Sequence, residues 1–175
     1  TLSGAATAGI GNTLANVITG NNAGNTLNGG TGADTLNGGS GDDTFVVDNL
    51  GDIVSDTYGA DTIQSTISFD ISTLTFIENL TLTGTTATVA TGNVGNNVIT
   101  GNGIANSLVG GGGTDTLIGG AGNDIYVVDS SDDVVNESTN GGAVTETFQS
   151  VVTFSLNTLD LQIIWVVENL AVTCT

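Results

Sequence analysis

The sequence predicts an all-β solenoid built from stacked nonapeptide turns. Three observations predict it. A glycine-led nonapeptide recurs in phase, a long unit containing it occurs twice, and the composition favours strands while offering no cationic side chain. The chain has 18 Asp and Glu and no Lys, Arg or His, for a formal charge of −18. Hydrophobic residues make up 38 % of it and charged residues 10 %, there is no Pro, and mean hydropathy is +0.25. An acidic chain of low hydrophobicity would stay disordered, but this one has enough Val, Ile, Leu, Phe and Thr to build strands.

The charge balance also narrows the partners. Nucleic acid and anionic membrane surfaces are bound through Lys and Arg, which are absent. The partner that this chain calls for is a metal cation. With no His, neither a Ser–His or Cys–His nucleophile nor an imidazole zinc site can be assembled, so the chain is not expected to be an enzyme. A carboxylate pair for glycoside cleavage is formally available, but each well-placed Asp already belongs to the repeat. The sole cysteine, Cys174, can form no internal disulfide.

Along the chain, the stretch Gly11–Asp48 returns without a gap as Gly92–Asp129. Beyond it, Thr62–Ile71 matches Thr147–Leu156, and ENLTLTG at Glu78–Gly84 matches ENLAVTC at Glu168–Cys174. The opening Leu2–Asn12 resembles Leu82–Asn93. The expected organisation is therefore the end of a preceding unit at residues 1–10, a first unit at 11–91 and a second at 92–175. Thr1 and the shared phase of the two ends point to an excised segment of a longer array, or to ends shaped for stacking head to tail.

Nonapeptides begin at Gly11, Gly20, Gly29 and Gly38, and again at Gly92, Gly101, Gly110 and Gly119. The third and fourth of each set read GGTGADTLN, GGSGDDTFV, GGGGTDTLI and GGAGNDIYV, all fitting G-G-x-G-x-D-x-U-x with U a large apolar residue. Their glycines, Gly29, Gly30, Gly32, Gly38, Gly39, Gly41, Gly110, Gly111, Gly113, Gly119, Gly120 and Gly122, allow a turn whose backbone angles residues with a Cβ resist. Such a turn brings carbonyl oxygens towards one point, and Asp34, Asp43, Asp115 and Asp124 add a carboxylate at position six. The first two nonapeptides of each set carry Asn16, Asn25, Asn97 and Asn106 there instead. Continuing the frame places Asp52 with Val54 and Asp61 with Ile63, and in the second unit Asp133 with Val135, then Glu146 with Phe148.

After the turn, x-U-x is a short strand with one inward side chain, which a lone nonapeptide cannot bury. Stacking at about 4.8 Å buries it. The alternation Ile63, Ser65, Ile67, Phe69, Ile71 reads as a longer half-buried strand. Trp165, in the apolar insertion QIIWVV, reads either as a lateral contact surface or as core of a wider coil.

Stacking also sets carboxylate over carboxylate. Two such charges about 5 Å apart repel by roughly 3 kcal/mol at an effective dielectric near 20. No side chain here can neutralise them. A hard divalent cation can, and flexible oxygen-only ligation favours Ca2+ over Zn2+ or Mg2+. If alternate nonapeptides share an ion, the pairs are Asn16/Asp34, Asp34/Asp52, Asn25/Asp43, Asp43/Asp61, Asn97/Asp115, Asp115/Asp133, Asn106/Asp124 and Asp124/Glu146. Pairs containing Asn carry one charge fewer and are expected to be weaker or empty, and a ladder of stacked amides serves those positions equally well. Asp52, Asp61 and Asp133 can equally be solvated loop acids, and the plain alternative for the four motif aspartates is a turn cap.

On the four full nonapeptides, the sequence resembles the RTX, or hemolysin-type, calcium-binding repeat proteins. The resemblance implies a right-handed parallel β-roll with two nonapeptides per coil and Ca2+ held between turns on the same side. It further implies a bacterial protein exported unfolded by a type I system, which folds on meeting extracellular calcium. The function expected is a calcium-binding structural module that stiffens an adhesin, a surface layer or a head-to-tail fibre, with calcium ions and copies of itself as partners. The alternative is a polysaccharide-binding module, or a secretion and folding module of a larger secreted enzyme. Glycan binding is the weaker expectation, because the chain has only five Phe, two Tyr and one Trp to stack on a sugar.

Overall fold

The computed structural model describes residues 1–86, 88–136 and 146–150. Each nonapeptide contributes one short strand after its turn. β1 (Ala8–Ile10) lies in the residues before the first unit, which itself carries β2 (Val17–Thr19), β3 (Thr26–Asn28), β4 (Thr35–Asn37), β5 (Thr44–Val47), β6 (Ile53–Ser55), β7 (Thr62–Ser65), β8 (Phe69–Asp70), β9 (Asn79–Leu82) and β10 (Val89–Thr91). The second repeats the pattern with β11 (Val98–Thr100), β12 (Ser107–Val109), β13 (Thr116–Ile118), β14 (Ile125–Val128), β15 (Val134–Asn136) and β16 (Thr147–Ser150).

Every pairing among these strands is parallel, and odd and even strands go to different sheets. The odd strands form one 8-stranded sheet in the order β1-β3-β5-β7-β9-β11-β13-β15. The even strands form a 3-stranded sheet, β2-β4-β6, and a 5-stranded sheet, β8-β10-β12-β14-β16. Two nonapeptides thus make one coil of a parallel β-roll, and β9 bonds to β7 behind it and β11 ahead, so the odd sheet runs unbroken from one unit into the next.

The apolar residue at position eight is the core. Leu27, Leu36, Phe45, Val54, Ile63, Ile99, Leu108, Leu117, Tyr126 and Val135 are all buried, with Ile18 partly so. Each contributes on the order of 1.5–3 kcal/mol that no isolated turn could realise. Tyr126 stacks on Phe148 of the neighbouring coil, ring centroids 5.3 Å apart.

The run from Ile63 to Ile71 is not one strand. β7 ends at Ser65 and β8 begins at Phe69 in another sheet. The Ser65 hydroxyl donates to the carbonyl of Ile67 at 2.8 Å and accepts the Ile67 N–H at 3.3 Å, turning a corner at that point. Alternating hydrophobicity survives such a corner because both strands keep one face inward. Trp165 and Cys174 lie outside the described residues, as do the matches beyond residue 150.

Candidate metal centre

The glycines do two different jobs. Those at positions two and four have left-handed backbone: Gly30, Gly32, Gly39, Gly41, Gly111, Gly113, Gly120 and Gly122 have φ from 83° to 132°. The leading glycines Gly29, Gly38 and Gly110 are there for space instead. A Cβ on Gly29 would overlap the carboxylate of Asp34, one on Gly38 that of Asp43, and one on Gly110 that of Asp115. A Cβ on Gly11, Gly20, Gly92 or Gly101 would likewise meet the carbonyl oxygen of Gly29, Gly38, Gly110 or Gly119 and the amide oxygen of Asn16, Asn25, Asn97 or Asn106. Both arrangements gather oxygen atoms in a space that only glycine leaves open.

All eight stacked pairs expected from the frame are in contact, through a shared device. The backbone N–H of the earlier residue donates to a carboxylate oxygen of the later one, one coil on. The bonds are Asn16 to Asp34 (2.8 Å), Asp34 to Asp52 (2.9 Å), Asn25 to Asp43 (2.6 Å) and Asp43 to Asp61 (2.8 Å). In the second unit they are Asn97 to Asp115 (2.8 Å), Asp115 to Asp133 (2.9 Å), Asn106 to Asp124 (2.7 Å) and Asp124 to Glu146 (2.6 Å).

The second oxygen of each acid separates the residues into classes. Oδ2 of Asp34, Asp43, Asp61, Asp115 and Asp124, and Oε1 of Glu146, are buried with no hydrogen-bond partner. Asp52 and Asp133 differ, since Oδ2 of Asp52 accepts from Asp48 and Asn49 and Oδ2 of Asp133 from Asp129 and Ser130. These two use both oxygens on backbone N–H groups, one on the neighbouring coil and one on their own turn.

The asparagines are satisfied within the protein. Oδ1 of Asn16, Asn25, Asn97 and Asn106 accepts the N–H of Asn12, Asn21, Asn93 and Asn102 respectively. Nδ2 of Asn25 donates to the carbonyl of Ala6 at 3.2 Å, and Nδ2 of Asn97 to those of Ile77 and Glu78 at 3.1 and 3.3 Å. Nδ2 of Asn25 and of Asn106 also donates to the amide oxygen of Asn21 and of Asn102, at 3.3 and 3.2 Å, so the amides bond within their own turn rather than as a ladder of asparagines from coil to coil.

Two acids escaped the nonapeptide frame. Glu78 accepts the N–H of Asp61 at 2.7 Å and so continues the ladder beyond it. Its separation from Asp61 is 17 residues where the regular step is 18, and Glu146 follows Asp124 by 22. Both irregular steps use Glu, whose extra methylene lets the carboxylate reach across a coil of the wrong length. Asp56 stands at position one, where the motif has glycine, and its Oδ1 accepts the N–H of Gly39 at 2.8 Å.

Burial is the main electrostatic consequence. Loss of solvation, reinforced by the neighbouring Asp56, pushes Asp43 up to about 6 and Asp61 up to about 7. Burial, then the charges of Asp133 and Asp129, pushes Asp115 up to about 6. Burial raises Asp124 and Glu146 as well. Bare, these carboxylates are held against their chemistry. Hard anionic oxygens in a crowded, cation-free stack form a donor set suited to a divalent cation of the calcium type.

A family model for the RTX calcium-binding nonapeptide repeat matches in four copies, at residues 10–45, 19–54, 91–126 and 100–135. The chain belongs to this RTX repeat family. RTX nonapeptides bind calcium, and the orphaned oxygens and glycine-lined spaces of this β-roll fit that ion. An RTX β-roll is a structural calcium-binding module rather than a catalytic fold, and RTX repeats are typical of secreted bacterial proteins. Searches of curated proteins and of solved structures give no match.

Proposed function

We propose that the chain is a calcium-stiffened segment of a bacterial extracellular protein, an adhesin, surface layer or head-to-tail fibre. One observation carries this reading: a column of buried carboxylate oxygens without donors, in a chain with no Lys, Arg or His. Among the described residues the ion would be held by Asp34, Asp43, Asp61, Asp115, Asp124 and Glu146, and by backbone carbonyls of the leading glycines. Asp52, Asp133 and the four asparagines would shape the turns. Because the ion would neutralise charge that the fold itself concentrates, binding energy becomes folding energy. The chain would then travel as an unfolded polyanion and harden where calcium is abundant.

The unbroken odd sheet supports a mechanical role, since it joins the first unit to the described part of the second, from β1 to β15, through continuous backbone bonding. Electron microscopy of the purified chain with calcium and with chelator tests the proposal. Filaments or rigid rods that dissolve in chelator are expected, and compact monomers under both conditions would overturn it. Binding on a glycan array would instead support a polysaccharide-binding module.

A further inference from the structure

We propose that Asp43, Asp56 and Asp61 form a three-carboxylate calcium site, distinct from the two-carboxylate turns of the repeat and the tightest in the described residues. The inference rests on the calcium reading above and deepens it at one place. One oxygen from each of the three side chains lies within 4.8 Å of the other two. Oδ2 of all three is buried without a hydrogen-bond partner, and Asp43 and Asp61 are each only 1 % exposed. The space that a Cβ on Gly38 would fill is bounded by Oδ2 of Asp43 and Oδ1 of Asp56, so two carboxylates from successive coils converge on one empty point. Gly59 keeps the third approach open, because a Cβ there would lie 2.9 Å from Oδ1 of Asp61.

The fold explains why three acids meet here. In a regular coil position one is glycine and contributes only a carbonyl. At residue 56 that glycine is replaced by Asp. The chain from Asp56 to Ala60 lies along the turn of Gly38–Asp42, with Gly41 N–H to the Tyr58 carbonyl at 2.8 Å and a parallel bridge between Ser40 and Tyr58. Asp56 therefore aims its carboxylate back at the site that Asp43 and Asp61 already share. Affinity in oxygen-ligand calcium sites rises with the number of anionic ligands, and three carboxylates also suit a trivalent lanthanide.

Calcium titration of the full chain by calorimetry, wild type beside Asp56→Asn and Asp56→Gly, tests this. Asp56→Gly restores the residue found at position one of the motif and should fold in calcium like its neighbours. Both variants are expected to weaken the tightest site on the order of tenfold or more while leaving the other sites unchanged. A wild-type isotherm in both variants, with loss only in Asp43→Asn, would overturn the three-carboxylate site and leave the calcium reading standing. No calcium uptake by the wild type would overturn both. Terbium added at one equivalent gives a readout independent of the Asp56 variants. Its emission should be sensitised by Tyr58 and lost in Tyr58→Phe, and unchanged emission in that variant would place the ion elsewhere and overturn the site.

Discussion

The backbone N–H of Asp43 donates to Oδ1 of Asp61 at 2.8 Å, and Oδ2 of both residues is left buried without a donor. One oxygen of each acid thus locks adjacent coils together, while the other is kept for something the polypeptide does not supply. This division of labour recurs along the ladder and sets the outcomes expected below.

Asp34 and Asn16 are bonded to one another but should behave differently. Asp34→Ala removes an unpartnered anionic oxygen and should abolish one calcium site. Asn16→Ala removes an amide oxygen already satisfied by Asn12, and should cost about 1 kcal/mol of stability with calcium stoichiometry intact. Equilibrium dialysis with radioactive calcium measures both, and equal losses would count against the distinction.

Much of this was legible in the residues. The repeat of glycine and acid fixed the period, the position-eight residues named the core, and the continued frame located each stacked pair. Three things were not. Glu78 and Asp56 fall outside the consensus, one because the coil shortens and one because the acid replaces a glycine. The divergence of Asp52 and Asp133 from Asp34 depends on which N–H groups their own turns leave free, which spacing does not encode.

Acidity should stabilise the metal-free fold. Unfolded Asp titrates near 4, whereas Asp43, Asp61 and Asp115 are raised to about 6, 7 and 6 by burial. Between these values the folded chain binds more protons than the unfolded one. Its stability is therefore fullest below about pH 4 and is lost as pH rises to about 7. Calcium must displace those protons, so the loaded protein should follow the opposite trend. Urea midpoints in chelator and in calcium, at about pH 5 and pH 8, check both signs. A midpoint in chelator that climbs with pH would contradict the assignment.

Leading glycines should be intolerant of even one methyl group. Gly29→Ala and Gly110→Ala place a Cβ onto Asp34 and Asp115, and each should lower calcium affinity by more than about tenfold. Gly103→Ala meets nothing within 4 Å and serves as the control. Calcium-dependent circular dichroism separates them; a shifted midpoint for Gly103→Ala as large as that of the other two would defeat the explanation.

Tyr126 buries its hydroxyl without a partner at a position where the first unit has Phe45. Tyr126→Phe removes an unsatisfied group and keeps the ring against Phe148. It should be neutral or stabilise by up to about 1 kcal/mol, read from urea unfolding in calcium. A loss of more than that would mean the hydroxyl has a role.

The regular ladder step of 18 residues spans two nonapeptides, one for each face. Deleting a single nonapeptide from the coding sequence would transfer every later strand to the opposite face, yet position six would still meet position six and position eight would still meet position eight. The two units already display that exchange: β2 and its counterpart β11 are an odd number of nonapeptides apart and belong to different sheets. The ladder therefore reads only the nine-residue frame, and either face of the roll can carry any turn.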